Sequence, residues 1–150
     1  MPPEVLEALF DKFVFRAPVD RRYSAEGLWV RREDDRARIG ASDFFQQVNG
    51  DMAFVTVRPV GAALRGGEPF VRVETVKVTL DAPTPVSGVV AEVNAALDLH
   101  PELVNQDPYG AGWLAVVELA EPDSGCAGLL DAAQHLALVR RQAEEELKKR

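Results

Sequence analysis

Phe70-Val71-Arg72-Val73-Glu74-Thr75-Val76-Lys77-Val78-Thr79-Leu80 reads as two strands joined by a turn. Val71 and Val73 alternate with Arg72 and Glu74, and Val78 and Leu80 alternate with Lys77 and Thr79. That period of two marks half-buried strands. One uninterrupted strand of this length is long for a small β domain. A reversal near Thr75 to Val78 is more economical, and it puts Lys77 at the tip. The turn signal is weaker than Asn-Gly or Asp-Gly would give, because no residue here favours positive φ.

Lysine usage singles out the same position. Only Lys12, Lys77, Lys148 and Lys149 are lysines among the 17 basic residues, and the rest are arginine. Three of the four lie in segments that read as terminal helices, which leaves Lys77 alone in the middle of the chain. Arginine is neither deprotonated nor acylated in the ordinary way, whereas the lysine amine is open to both. A solvated lysine on a strand is the competing, bland explanation. Context decides between them.

Working outward, strands dominate from Tyr23 to about Ala120. Trp29 to Arg32 and Arg36 to Gly40 flank Glu33-Asp34-Asp35 and read as a hairpin. Ser42-Asp43 can cap a short helix carrying Phe44, Phe45 and Val48, closed by Asn49-Gly50. Met52 to Val57 is a strand, Gly88 opens another through Val93, and Trp113 to Leu119 is the last. Residues 3–13 are expected to be helical, with Pro3 in the first turn and Leu6, Leu9, Phe10 and Phe13 at helical spacing. A C-terminal helix is expected from about Asp131, with Ala132, Leu136, Val139, Ala143 and Leu147 on one stripe. Glu144 with Lys148, and Glu145 with Lys149, supply i,i+4 pairs.

The chain has 150 residues, 47% of them hydrophobic, and a net charge of −7. That balance suits one soluble domain and argues against a nucleic-acid partner, whose phosphates need a clustered cationic face. No apolar run is long enough to span a bilayer, and the acidic start (Glu4, Glu7, Asp11) does not look like a leader. With a single cysteine, Cys126, a reducing cytoplasm is the expected setting. Cys126 sits near an expected helix start, which would lower its pKa, but no base is patterned beside it. His100 reads as a turn residue and His135 as a partly exposed helix residue. No paired Cys/His spacing supports a metal, and Gly66-Gly67 lacks a phosphate-loop frame. No catalytic set emerges, so an enzyme acting alone is not indicated.

Val73-Glu74-Thr75-Val76-Lys77, Asp81 and Pro85-Val86-Ser87-Gly88-Val89-Val90-Ala91-Glu92-Val93-Asn94 resemble the attachment region of glycine cleavage system H proteins. In that family a Glu-Ser-Val-Lys turn presents the lysine that takes a lipoyl group. Gly40-Ala41-Ser42-Asp43-Phe44-Phe45-Gln46 with Gly50-Asp51 resembles the family's Gly-Ile-Thr-Asp-Tyr-Ala-Gln segment and its following Gly-Asp. Pro101, Leu103, Asn105, Pro108-Tyr109-Gly110 and Gly112-Trp113 match its Pro-x-Leu-x-Asn and Pro-Tyr-Gly-x-Gly-Trp signature, and Tyr23 and Trp29 fall where its early Tyr and Trp stand. The likeness runs in order from about Tyr23 to Leu130.

The resemblance implies a mainly β fold. It is a flattened barrel-sandwich hybrid of two small sheets, of the lipoyl/biotinyl type, to which the sequence adds an N-terminal and a C-terminal helix. The implied division is a helical extension over residues 1–22, a lipoyl-carrier β domain over 23–122 and a C-terminal helical segment over 123–150. Lipoate would be joined by an amide to Lys77, with Glu74, Thr75, Val76 and Val78 as the recognition turn. Biotin fits less well, because biotinyl turns usually place Met on both sides of the lysine. The implied partners are a lipoate ligase or lipoyl transferase, glycine decarboxylase, aminomethyltransferase and dihydrolipoyl dehydrogenase. The implied function is a carrier, not an enzyme, that shuttles an aminomethyl group among them.

One family segment is altered. Where Ser-His-Glu-Trp is usual, this chain has Glu26-Gly27-Leu28-Trp29. The family's Ser and Glu help line a cleft that shelters the loaded arm's amine, so Glu26, Leu28 and Asp81 are the cleft candidates here. Leu28 offers a cation no acceptor. The change keeps a second reading open: an H-like lipoate-binding protein carrying sulfur intermediates or electrons for a heterodisulfide-reductase-like complex in sulfur oxidation.

Overall fold

The computed structural model describes residues 3–148, with side chains described as far as residue 145. The elements run β1 (Val5–Phe10), β2 (Phe13–Pro18), β3 (Arg22–Tyr23), β4 (Leu28–Glu33), β5 (Arg36–Ala41), α1 (Asp43–Asn49), β6 (Met52–Val57) and β7 (Ala63–Leu64). They continue as β8 (Pro69–Thr75), β9 (Thr79–Pro83), β10 (Gly88–Val93), a 3-10 turn (Ala95–Asp98), α2 (Leu103–Gln106), β11 (Ala115–Leu119) and α3 (Ala132–Lys148). A six-stranded sheet, ordered β3-β4-β5-β11-β10-β7, faces a three-stranded sheet, β6-β8-β9. β1 and β2 form a separate ribbon. The fold is mainly β, and the two principal sheets stay open rather than closing into a barrel.

Between those sheets lies the main core. Leu28, Val30 and Ile39 from one sheet meet Val55, Phe70, Val71 and Val73 from the other. Alternate residues enter this layer, as a period of two requires, except that β8 adds the consecutive pair Phe70 and Val71 where its pairing with β9 shifts register. A second cluster joins Phe15, Tyr23, Trp29 and Phe44 to Ala132, Leu136 and Val139 of α3. A Cβ on Gly40 would collide with the Trp29 indole, so only glycine lets that ring lie flat on β5. The indole N–H donates to the Pro108 carbonyl at 2.9 Å, and the buried Arg21 guanidinium sits 4.6 Å over the ring.

The expected helix over residues 3–13 is instead a strand, a turn and the start of a second strand. β1 pairs antiparallel with β2 from Val5↔Pro18 to Phe10↔Phe13, turning at Asp11, whose φ is 55°. Exposure alternates along β1, so Leu9, which the helical stripe would have buried, is 65% exposed. Helical spacing and strand alternation share Leu6 and Phe10. The contest is settled by α3, which packs across both strands and offers the ribbon an apolar platform.

At the other end the helix begins as expected. The Asp131 carboxylate accepts the Gln134 N–H at 2.8 Å, while the Gln134 side chain accepts the Asp131 N–H at 3.0 Å, a reciprocal cap. His135, expected to be partly exposed, is only 2% exposed and stacks on Tyr23 with ring centroids 4.2 Å apart. Leu147 and the Glu144–Lys148 and Glu145–Lys149 pairs fall outside the described side chains. The last strand starts at Ala115 rather than Trp113, whose ring instead carries the Arg38 guanidinium at 4.5 Å.

Candidate functional site: the Lys77 turn and the grooves beside it

β8 and β9 pair from Pro69↔Pro83 to Glu74↔Thr79, leaving Thr75 to Val78 as the reversal. Thr75 N–H donates to the Val78 carbonyl at 2.8 Å. The Thr75 hydroxyl oxygen accepts the backbone N–H groups of Lys77 and Val78 at 3.1 and 3.0 Å. A side chain thus satisfies the donors that a left-handed turn would otherwise handle, so the hairpin closes with no positive φ among its four residues. Val76 is fully exposed at the apex (101%). Lys77 is exposed beside it, and its Nζ donates to the Val48 carbonyl near the end of α1 at 2.9 Å.

α1 is well fixed. Ser42 caps it by accepting the Phe45 N–H, and Gly50 ends it at φ 86°. Asn105 ties its C-terminal end to the three-stranded sheet, donating to the Gly50 carbonyl at 2.9 Å and accepting the Met52 N–H at 2.9 Å. The lysine therefore stands on a braced turn against a braced helix.

Two grooves flank the α1 ridge, and Phe44, Val48 and Asn49 line both. One, of about 240 Å³, has both Glu26 and Asp81 in its lining. The other, of about 280 Å³, is lined by Phe10, Phe13, Phe15 and Phe44, with Lys77 and Val78 at one end and Ala143 of α3 on the far side. Asp81 is engaged by Arg72 through two bonds of 2.9 and 3.1 Å, and this pairing holds its carboxyl below the usual carboxylate range. Glu26 is exposed and has no such partner among the described contacts.

A glycine cleavage H-protein family model matches residues 21–142. The H protein of Mycobacterium avium is 48% identical over 119 residues, covering 77% of this chain and 90% of its own length. That of Mycobacterium tuberculosis is 45% identical over 121 residues, again covering 77% and 90%. A crystal structure of the Mycobacterium marinum glycine cleavage system H protein superposes with a TM-score of 0.74 at 32% identity, covering 81% of this chain and 97% of that one. This chain belongs to the glycine cleavage H-protein family.

Within that family frame, the matched span contains the Lys77 turn, Glu26 and Asp81, but neither β1 nor β2. Leu28, the third cleft candidate, is fully buried (0% exposed) in the main core and does not line the groove that Glu26 and Asp81 share. Its side chain packs with Val30 and Ile39 between the sheets, so an acidic residue at this position would be a buried charge. The apolar groove is not legible in the sequence, because Phe10, Phe13 and Phe15 reach it only from a ribbon whose pattern also fits a helix. Cys126, His100 and His135 line neither groove. Cys126 lies in a turn before α3 rather than at a helix start, and partial burial raises its thiol pKa instead of lowering it. His100 is exposed and contacts Glu102 at 3.0 Å.

Proposed function

We propose that Lys77 carries a lipoyl group in amide linkage and that the loaded arm ferries an aminomethyl group between the enzymes of glycine cleavage. The observation that carries this reading is the exposed Lys77 amine on a turn locked by Thr75, inside the span that matches the H-protein family. The site suits the group: the amine is reachable, its backbone is rigid, and an amide nitrogen retains one N–H for the Val48 carbonyl. Once attached, the dithiolane supplies thiol–disulfide chemistry and a place for the cargo.

The chain's own residues position and shelter. Thr75 fixes the direction in which Lys77 leaves the hairpin, and Glu74 and the fully exposed Val76 give a ligase or transferase a shaped edge to read. Glu26 is the carboxylate left to receive a cationic amine in the shared groove, since Asp81 is neutralised by Arg72. The protein acts as a carrier component. Its proposed partners are a lipoate ligase or lipoyl transferase, glycine decarboxylase, aminomethyltransferase and dihydrolipoyl dehydrogenase. The comparisons favour glycine cleavage over the sulfur-oxidation carrier.

Incubation with lipoate, ATP and a lipoate ligase, read by intact mass, tests the attachment. A single lipoyl adduct on the native chain, absent from Lys77→Arg with an unchanged melting temperature, is the expected result. An adduct that persists in Lys77→Arg overturns the assignment of this lysine.

A further inference from the structure

The ribbon β1–β2 lies outside the family match, yet it is pinned to the functional end of the molecule. The Arg16 N–H donates to the Asp43 carboxylate at 2.9 Å, the Gln47 side chain donates to the Val14 carbonyl at 2.9 Å, and the Tyr109 hydroxyl donates to the Arg16 carbonyl. The Phe15 ring meets Phe44 edge-on with centroids 5.3 Å apart. These bonds hold Phe10, Phe13 and Phe15 over the side of α1 that Lys77 already touches.

We propose that this aromatic groove is a resting dock for the uncharged dithiolane of the arm on Lys77. The proposal rests on the lipoyl reading above and adds to it a site made by the chain's own N-terminal ribbon. Three features select this occupant. The tether is in place, because Lys77 lines the groove and its Nζ is bonded to the Val48 carbonyl on the dividing ridge. Size fits, because about 280 Å³ takes a slender acyl chain and one small ring but no folded segment. Chemistry fits too. Phenylalanine rings make favourable contacts with divalent sulfur, and no carboxylate lines this groove.

Two grooves on either side of one helix then sort the arm by charge. A neutral dithiolane goes to the phenylalanines, and an arm carrying a cationic amine goes to the side of Glu26. The aromatic groove has no carboxylate to pair with an ammonium, whereas the groove across the ridge has Glu26, so the loaded arm gains an ion pair by crossing. Attachment to one lysine makes both choices intramolecular, so weak contacts suffice to hold the arm.

The rate at which a water-soluble phosphine reduces the dithiolane tests the dock without any partner enzyme. Intact mass first establishes the lipoyl adduct. A chain that takes no adduct overturns the carrier reading and the dock together. With the adduct present, the native protein should be reduced several-fold more slowly than free lipoamide. Phe13→Ser, at an exposed rim position, and Ala143→Trp, which fills the groove from α3 without emptying the core, should each restore the free rate. Phe54→Ser, on the exposed face of β6, should leave the protection intact. Reduction of the native protein at the free rate overturns the dock, as does protection that survives both Phe13→Ser and Ala143→Trp.

Discussion

The Thr75 hydroxyl oxygen accepts two backbone N–H groups that would otherwise point into a turn with no partner. Thr75→Ala should therefore cost about 1 kcal/mol and slow lipoylation of Lys77 by letting the tip splay, whereas Thr75→Ser keeps the acceptor and should behave like the native chain. Urea titration with a ligase time course measures both effects. His135 is the residue through which acid should act on stability. Burial lowers its pKa from 6.5 to about 4, so the folded protein resists protonation that the unfolded chain accepts. Stability is complete above the unfolded value and is lost as pH falls from about 6.5 towards 4, by roughly 3 kcal/mol at the acid end. The urea midpoint should fall over that window. His135→Phe, which keeps the stack on Tyr23 and removes the titration, should flatten the fall.

Among the elements, the attachment hairpin and α1 were legible because their signals are local. Alternation on both sides of Thr75 and the caps at Ser42 and Gly50 need no distant partner to take effect. The ribbon β1–β2 was not legible. Its Leu6 and Phe10 satisfy either period, and the deciding contact comes from α3, more than a hundred residues later in the chain. His135 misled for the same reason, since its burial depends on Tyr23 from the far end of the domain. Of the cleft candidates, Glu26 and Asp81 do share a groove. Leu28 does not join them, because consecutive strand residues alternate faces and its even offset from Glu26 is broken at Gly27, where φ is 94°. Gly40 shows how tightly these elements are fitted. Gly40→Ala would drive a methyl into the Trp29 ring and should destabilise the protein by about 2 kcal/mol, read as a lower melting temperature.

At the scale of the molecule, a net charge of −7 gives a carrier a long-range means of finding several enzymes in turn. Association with glycine decarboxylase should slow by roughly tenfold between low and high salt if basic patches receive it. A rate indifferent to salt would show that docking is apolar. The lysine turn, the carboxylate groove and the aromatic groove all sit at one end of the two sheets, around the ridge of α1. That grouping is what an arm passing between partners needs. The most direct test of aminomethyl transport is intact-mass spectrometry of the lipoylated protein after incubation with glycine and a glycine decarboxylase. A lipoyl adduct on Lys77 that then gains an aminomethyl group is the expected result. An adduct that stays unloaded, beside a control H protein that loads under the same conditions, would contradict it.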